Sequence, residues 1–174
     1  MAQTFLNLAQ GVTGTLPNAN FSGGKLLQVQ HTHYNTSVTI QDQGYNTTGV
    51  TCAITPSATN SKIFGMFKLQ ARGHTVTSSH EWGYGCKVDR SGGASGTAFE
   101  EKGGTGQAYS TYFYQNADTV NLAQHSSFQF LDTSHNTTSA ITYTVFAKGQ
   151  SGSQAIIFQN ATFPSQFTLM EIGA

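Results

Sequence analysis

The chain has 174 residues, enough for one domain with its own hydrophobic core. Only 9% of the residues are charged and the formal net charge is zero, so nothing indicates a surface that tracks phosphates, and we expect no nucleic-acid partner. The 12 Phe and 7 Tyr residues argue against disorder, and no apolar run approaches the roughly 20 residues that a membrane helix needs.

Residues 1–22 are predicted to form an extended N-terminal arm. Gly11, Gly14 and Pro17 interrupt any helix in this segment. Apolar side chains nevertheless recur along it, and we expect them to dock onto a partner: Phe5, Leu6, Leu8, Val12 and Leu16. The alternative for this segment is a disordered terminus.

A first long strand is predicted over residues 25–34, where side chains alternate between two faces. One face of this strand carries Leu27, Val29, His31 and His33. Val38 and Ile40 continue this strand or form the next one. A further strand is predicted at residues 50–54, and it ends before Pro56, which has no N–H to donate to a ladder. The next strand is predicted over residues 63–70, with Gly65 on the same face as Ile63, Phe67 and Leu69.

Further strands are predicted at residues 81–90, 109–114, 126–132, 140–148, 154–160 and 166–172. Residues 91–106 are rich in Gly and are predicted to form a long surface loop. No segment longer than two turns shows a helical period. About nine or ten strands separated by turn signals predict an all-β domain over residues 23–174, an antiparallel jelly-roll-like β-sandwich.

The two cysteines, Cys52 and Cys86, fall in predicted strands, and we expect them to be buried thiols that act as small apolar side chains. A disulfide between them stays open, because spacing alone does not set its geometry. There is no Cys-x-x-Cys pair, so no structural zinc site is indicated.

Several segments carry a resemblance to a known group of proteins. They are Gly-Lys-Leu-Leu-Gln-Val at residues 24–29, Thr-Gly-Val-Thr-Cys-Ala-Ile-Thr-Pro-Ser at 48–57, Ser-Lys-Ile at 61–63 and Phe-Thr-Leu-Met-Glu-Ile at 167–172. Together they resemble small β-structured virion proteins of tailed bacteriophages, which often form the distal part of tail fibres. Residues 8–17 also resemble connector segments of phage fibres.

The resemblance implies a homotrimer in the virion, made in the host cytoplasm; residues 1–5 have no basic start that would indicate a signal peptide. The arm would attach to other virion proteins. Loops at residues 73–80, 91–106, 116–125 and 132–139 would face a polysaccharide or protein of the host surface. Aromatic rings stack on sugars but also pack cores, so both roles stay open for the receptor-binding candidates His80, Trp82, Tyr109, Tyr112, Tyr114 and His125.

His31 and His33 place two imidazoles on one strand face. On a threefold axis, three chains would offer six nitrogens to one ion, and the resemblance adds that trimeric phage spikes and fibres bind iron through such pairs. The alternative is two histidines in a wet interface or on the surface. We otherwise expect no cofactor.

Catalysis is not indicated. A glycosidase needs two carboxylates that flank one bond, and no pair among the eight acids has a suggestive spacing. No Gly-x-Ser-x-Gly motif occurs. The leading hypothesis is therefore a phage tail fibre or fibre tip that binds a host glycan. The alternatives are a head-fibre or capsid decoration protein of the same fold and, less favoured, a glycan depolymerase.

Overall fold

The computed structural model describes residues 24–74, 80–101, 111–115, 123–149 and 155–174. The predicted arm, with Phe5, Leu6, Leu8, Val12 and Leu16, lies outside the described residues. Within them no helix forms, and therefore none that is long and apolar enough to cross a membrane.

Eleven strands make up the described part of the chain. They are β1 (Leu26–Tyr34), β2 (Val38–Ile40), β3 (Asn46–Ile54), β4 (Lys62–His74), β5 (His80–Gly92), β6 (Gly96–Glu100), β7 (Thr111–Gln115), β8 (Ala123–Asp132), β9 (Ile141–Gly149), β10 (Ala155–Phe158) and β11 (Ser165–Ile172). Two sheets result, which we call sheet A (β1, β2, β4, β8, β10 and β11) and sheet B (β3, β5, β6, β7 and β9).

The strand pairings define a jelly roll. All of these pairs are antiparallel: β1 with β11, β2 with β10, β3 with β9, β4 with β8, and β5 with both β6 and β7. The paired strands form one long hairpin. After β2 and before β10, its two arms cross from one sheet to the other at each step. Strand β4 also pairs with β10 and with β11, and β5 also pairs with β9. These pairs complete the two sheets. The predicted antiparallel jelly-roll-like sandwich is confirmed.

The core lies between the two sheets, as strand alternation dictates. In β9 every odd-numbered residue from Ile141 to Gly149 is buried and every even-numbered one is partly exposed. The face of β4 that was predicted from period two, with Ile63, Gly65, Phe67 and Leu69, points into the core. Phe67 packs there against three other rings, those of Phe99, Phe128 and Phe167.

The prediction of a loop over residues 91–106 is wrong for the first half of that segment. Residues 93–95 form a short turn, and β6 then pairs back onto β5. The glycines that suggested a loop are turn residues: Gly92 and Gly96 have φ of +91° and +90°, which favours glycine. Phe99 of β6 packs against Phe67 and Phe130, and this ties the hairpin to the core.

Cys52 and Cys86 are both buried and neither forms a disulfide, which confirms the prediction of buried thiols. Cys52 lies on β3 and Cys86 on β5, and both belong to the apolar core.

Gly65 gives the first testable expectation. A Cβ at this position would overlap the ring of Phe130, which is itself held against Tyr143 and Phe167. We expect Gly65→Ala to lower the free energy of unfolding by about 1–3 kcal/mol, the usual effect of overpacking. Gly44→Ala is the control, because a Cβ there meets nothing closer than Asp42 at 3.5 Å. Equal urea midpoints for the two variants would contradict the expectation.

Candidate functional site on the outer face of sheet A

Strand β1 turns its apolar side chains away from the core. Leu26, Leu27 and Val29 are 53%, 38% and 48% exposed. The opposite face of β1 carries polar side chains that reach sheet B: Thr32 donates to the carbonyl of Thr51 at 2.5 Å and Gln28 to that of Thr55 at 2.7 Å. The acceptors are a carbonyl of β3 and the carbonyl of the residue that follows it, so hydrogen bonds join the two sheets along this edge of the sandwich.

A buried carboxylate fixes this arrangement. Glu171 of β11 is fully buried and accepts hydrogen bonds from Gln28 at 2.6 Å and from the backbone N–H and hydroxyl of Ser57 at 2.7 and 2.8 Å. Burial by itself raises the pKa of Glu171, but the bonds from Gln28 and Ser57 outweigh it and hold the pKa at about 2. Three of the segments that carry the phage resemblance therefore meet at one ionised group.

The outer face of sheet A has an apolar end. Val29, Met170, Phe64 and Leu131 are paired in register across β1, β11, β4 and β8, so they form one row over the width of the sheet. Leu131 at one end of this row is 49% exposed and Val29 at the other is 48% exposed. Leu27 and Ile172 lie beside the row.

The next two rows of the same face are mostly polar. His31, Thr168, Met66 and Gln129 form one row, and His33, Gln166, Lys68 and Ser127 form the other. Between β11, β4 and β8 these rows line an open trough of about 420 Å³, whose side chains are Met66, Lys68, Ser127, Gln129, Gln166 and Thr168. The trough thus offers amides, hydroxyls, one amine and one thioether, and no carboxylate.

The two predicted metal-binding histidines lie on the β1 side of this face. Both are exposed, and Nδ1 of His31 is 2.9 Å from the hydroxyl of Thr168. No group of three His, Cys, Asp or Glu side chains among the described residues is placed to hold a metal. Iron or another metal at His31 and His33 stays a prediction, and it needs ligands from further copies of the chain.

The outer face of sheet B differs in chemistry. Lys87 pairs with Asp89 at 2.6 Å and also lies 5.1 Å from the centre of the Tyr45 ring, with Lys148 at 4.7 Å from the same ring. Burial and the nearby Glu100 raise the pKa of Tyr45 to about 12. Of the six exposed large apolar side chains in the described residues, Phe163 lies in the turn before β11 and five lie on sheet A.

The receptor-binding candidates are brought together only in part. Tyr109 lies outside the described residues. The backbones of His80, Trp82, Tyr112 and Tyr114 lie in the paired strands β5 and β7, which places these positions on sheet B. His125 was predicted in a loop, but it lies in β8, exposed on the outer face of sheet A.

His125 is the next outward side chain along β8 after Ser127, so it stands at the end of the trough. Its ring centre is 6.4 Å from that of Phe163, which is 47% exposed. Phe163, Gln129 and Gln166 were missed as candidates. Their signal in the sequence is weak, because Gln129 and Gln166 are single amides among many and come together only through their pairing partners on β4.

The predicted contact loop at residues 132–139 is partly buried and is held in place by hydrogen bonds. Asp132 is buried, and residues 133–140 connect β8 to β9. The His135 side chain is also buried, with Nε2 2.8 Å from the carbonyl of Ser61. Its Nδ1 lies 3.2 Å from the carbonyl oxygen of Thr137 and 3.4 Å from the backbone nitrogen of the same residue. These contacts hold part of the loop against the β3–β4 turn.

No protein-family model matches the chain, and no curated protein matches it. Among solved structures, the chain is similar to a structure of the Gx strain of infectious bursal disease virus, with 13% identity and a TM-score of 0.36, over 83% of this chain and 36% of that chain. It is also similar to the VP2 subviral particle of infectious bursal disease virus, with 14% identity and a TM-score of 0.34, over 84% and 37%. The chain spans about a third of the length of these proteins, and similarity at this level does not bear on what it does.

Proposed function

We propose that this chain is a structural and adhesive virion protein, a short tail fibre or fibre tip of a tailed bacteriophage. Its arm, residues 1–22, attaches to other virion proteins, and its β-sandwich associates into a trimer and binds a polysaccharide of the host surface. The resemblance of residues 24–29, 48–57, 61–63 and 167–172 to phage fibre proteins supports the virion role.

The trough on sheet A is the observation that carries the adhesive part of this proposal. Sugars present many hydroxyls that both donate and accept, and the amides of Gln129 and Gln166 do both. The trough is open and lies on the rigid sheet, which suits one stretch of a long polymer. Phe163 supplies an exposed ring at its end, where a sugar ring can stack.

Binding without cleavage is part of the proposal. The side chains that line the trough include no acid, whereas a glycosidase places two carboxylates across the scissile bond. Each copy in a trimer contributes one trough, so weak single contacts add up through effective concentration.

Adsorption to host polysaccharide tests this function. We expect the double variant Gln129→Ala with Gln166→Ala to bind about tenfold more weakly, because each lost hydrogen bond contributes roughly 0.5–1.5 kcal/mol. Gln41→Ala is the matched control, since it removes an exposed amide away from the trough. Unchanged affinity of the double variant would exclude the trough as the polysaccharide-binding site. Release of short sugars from the polysaccharide would favour a depolymerase.

A capsid decoration protein would use the same fold and arm at another place in the particle. Capture of purified tail and purified capsid by the full-length chain separates the two. Binding to tail components supports the fibre, and binding to capsid alone would move the proposal to a head fibre or decoration protein.

A further inference from the structure

We propose that the trough on sheet A binds an acidic polysaccharide, and that a carboxylate or phosphate group of this polymer pairs with the ammonium group of Lys68. This rests on the proposed function, since the same trough binds the polymer. It adds the chemical class of the polysaccharide and the residue that selects it.

Lys68 lies on β4, the central strand of the trough. It is in register with Gln166 of β11 on one side and with Ser127 of β8 on the other. The amide and the hydroxyl can donate hydrogen bonds to an anion, but neither carries a charge that would neutralise an ammonium group. Neither of the two ion pairs among the described residues includes Lys68. The trough therefore holds a positive charge that has no counter-charge in the described part of the chain.

The rest of the outer face of sheet A has the same sign of charge. Side chains alternate along β4, so Lys62, Lys68 and Arg72 all point to this face, while the odd-numbered residues between them are buried. The six carboxylates whose side chains are described lie elsewhere. They are Asp132 and Glu171, which are buried, Asp89 and Glu100 on sheet B, and Asp42 and Glu101, which lie just after β2 and β6.

This separation of charge favours an anionic ligand. A surface that carries one sign of charge attracts ligands of the opposite sign. Because the formal net charge of the chain is zero, a preference for polyanions would come from this face and not from the molecule as a whole. Within the trough, a carboxylate or phosphate would gain a charge-assisted hydrogen bond from Lys68, which is stronger than the bond a neutral sugar hydroxyl can form.

The lysines on the outer face of sheet B are already engaged. Lys87 pairs with Asp89 at 2.6 Å. Nζ of Lys148 lies 4.7 Å from the centre of the Tyr45 ring, and the hydroxyl of that ring donates to Glu100 at 3.3 Å. An anion bound to sheet B would have to compete with these contacts, whereas an anion bound at Lys68 displaces no carboxylate of the described chain.

Binding of three polymers with one backbone tests this inference: dextran, carboxymethyl dextran and dextran phosphate. We expect the full-length protein to bind at least one charged form and to bind uncharged dextran roughly tenfold to hundredfold more weakly, as a hydrogen bond to a charged group predicts. The form that binds better shows whether the anion is a carboxylate or a phosphate. Salt raised from about 0.1 M to about 1 M should weaken binding of the charged form, because it shortens the screening length from about 10 Å to about 3 Å.

Variants of Lys68 assign the preference to this residue. Lys68→Met should remove the preference for the charged polymer, and Lys68→Arg, which keeps the charge, should retain most of it. Lys62→Met is the matched control, because it removes the same charge from the same face of β4 at a position about 20 Å away and outside the trough. The control should keep the preference. If Lys68→Met does not fold, by its β-sheet circular dichroism, Lys68→Gln replaces it with the same expected loss.

Equal binding of the three polymers, or binding of none of them, would overturn this inference. An equal loss in Lys62→Met and Lys68→Met would overturn it too, because the charge would then act from the whole face and not from the trough. Adsorption to host polysaccharide is measured separately. If Gln129→Ala with Gln166→Ala weakens that adsorption while Lys68→Met leaves it unchanged, this inference fails and the proposed function stands. If neither variant weakens it, both fail.

Discussion

Replacing Asp132 with alanine should lower the free energy of unfolding by about 3–5 kcal/mol, the cost of leaving a buried charge without its partner. Asp132 ends β8 in sheet A and is 3% exposed. Arg90 of β5 reaches both of its oxygens, at 3.2 and 3.1 Å, and Tyr143 of β9 donates to it at 2.8 Å. Both partners belong to sheet B, so this carboxylate clamps the two sheets together.

The large effect follows from what remains after the substitution. The Arg90 side chain is only 11% exposed, and its Nε has no hydrogen-bond partner even in the intact protein. Without Asp132 the guanidinium keeps its desolvation but loses its counter-charge. The Tyr143 hydroxyl loses its acceptor as well. Burial raises the pKa of Tyr143 and the Asp132 carboxylate raises it further, so the hydroxyl stays a donor at any pH near neutrality.

Asp89→Ala is the control for this prediction. Asp89 pairs with Lys87 at a shorter distance, 2.6 Å, but the two side chains are 27% and 22% exposed. Water screens such a pair, and its removal should cost less than about 1 kcal/mol. Urea unfolding at one protein concentration compares the variants. If Asp132→Ala were no more destabilising than Asp89→Ala, the clamp between the sheets would contribute nothing.

The second large effect is acid lability that depends on Glu171. Its pKa of about 2 in the folded chain lies below the ordinary value of 4.5. A carboxyl group with a lowered folded pKa stabilises the fold above its unfolded pKa, and this contribution is lost as the pH falls from about 4.5 to about 2. Because a tenfold change in proton affinity corresponds to about 1.4 kcal/mol, the contribution at neutral pH is about 3 kcal/mol.

Glu171→Gln isolates this contribution. The variant cannot ionise, and its amide N–H groups would face the donors of Gln28 and Ser57. We expect it to be less stable than the unchanged protein at pH 7, and the difference to shrink as the pH falls toward 2. Glu101→Gln, which removes an exposed carboxylate, should leave the pH dependence unchanged. Parallel stability curves for the protein and Glu171→Gln between pH 7 and 2.5 would contradict the assignment.

The strands were predictable because period two is a local property. The alternation of Ile63, Phe67 and Leu69 on β4, and of Ile156 and Phe158 on β10, needs only neighbouring residues, and the structure buries these side chains as expected. The hairpin of β5 and β6 was missed because glycine serves both loops and tight turns. What distinguishes a hairpin from a loop here is the contact between the rings of Phe99 and Phe67, which requires the tertiary structure.

The sequence by itself determined that this chain is all-β, that its thiols are buried, and that Leu27, Val29, His31 and His33 share one face of β1. It could not decide which way that face points. The orientation depends on β3 and the residue after it, because the carbonyls of Thr51 and Thr55 accept hydrogen bonds from Thr32 and Gln28, which lie on the polar face of β1. The apolar row from Val29 to Leu131 and the trough likewise depend on the tertiary structure, because Leu131 and Gln129 of β8 come near Met170 and Thr168 of β11 only through their common pairing with β4.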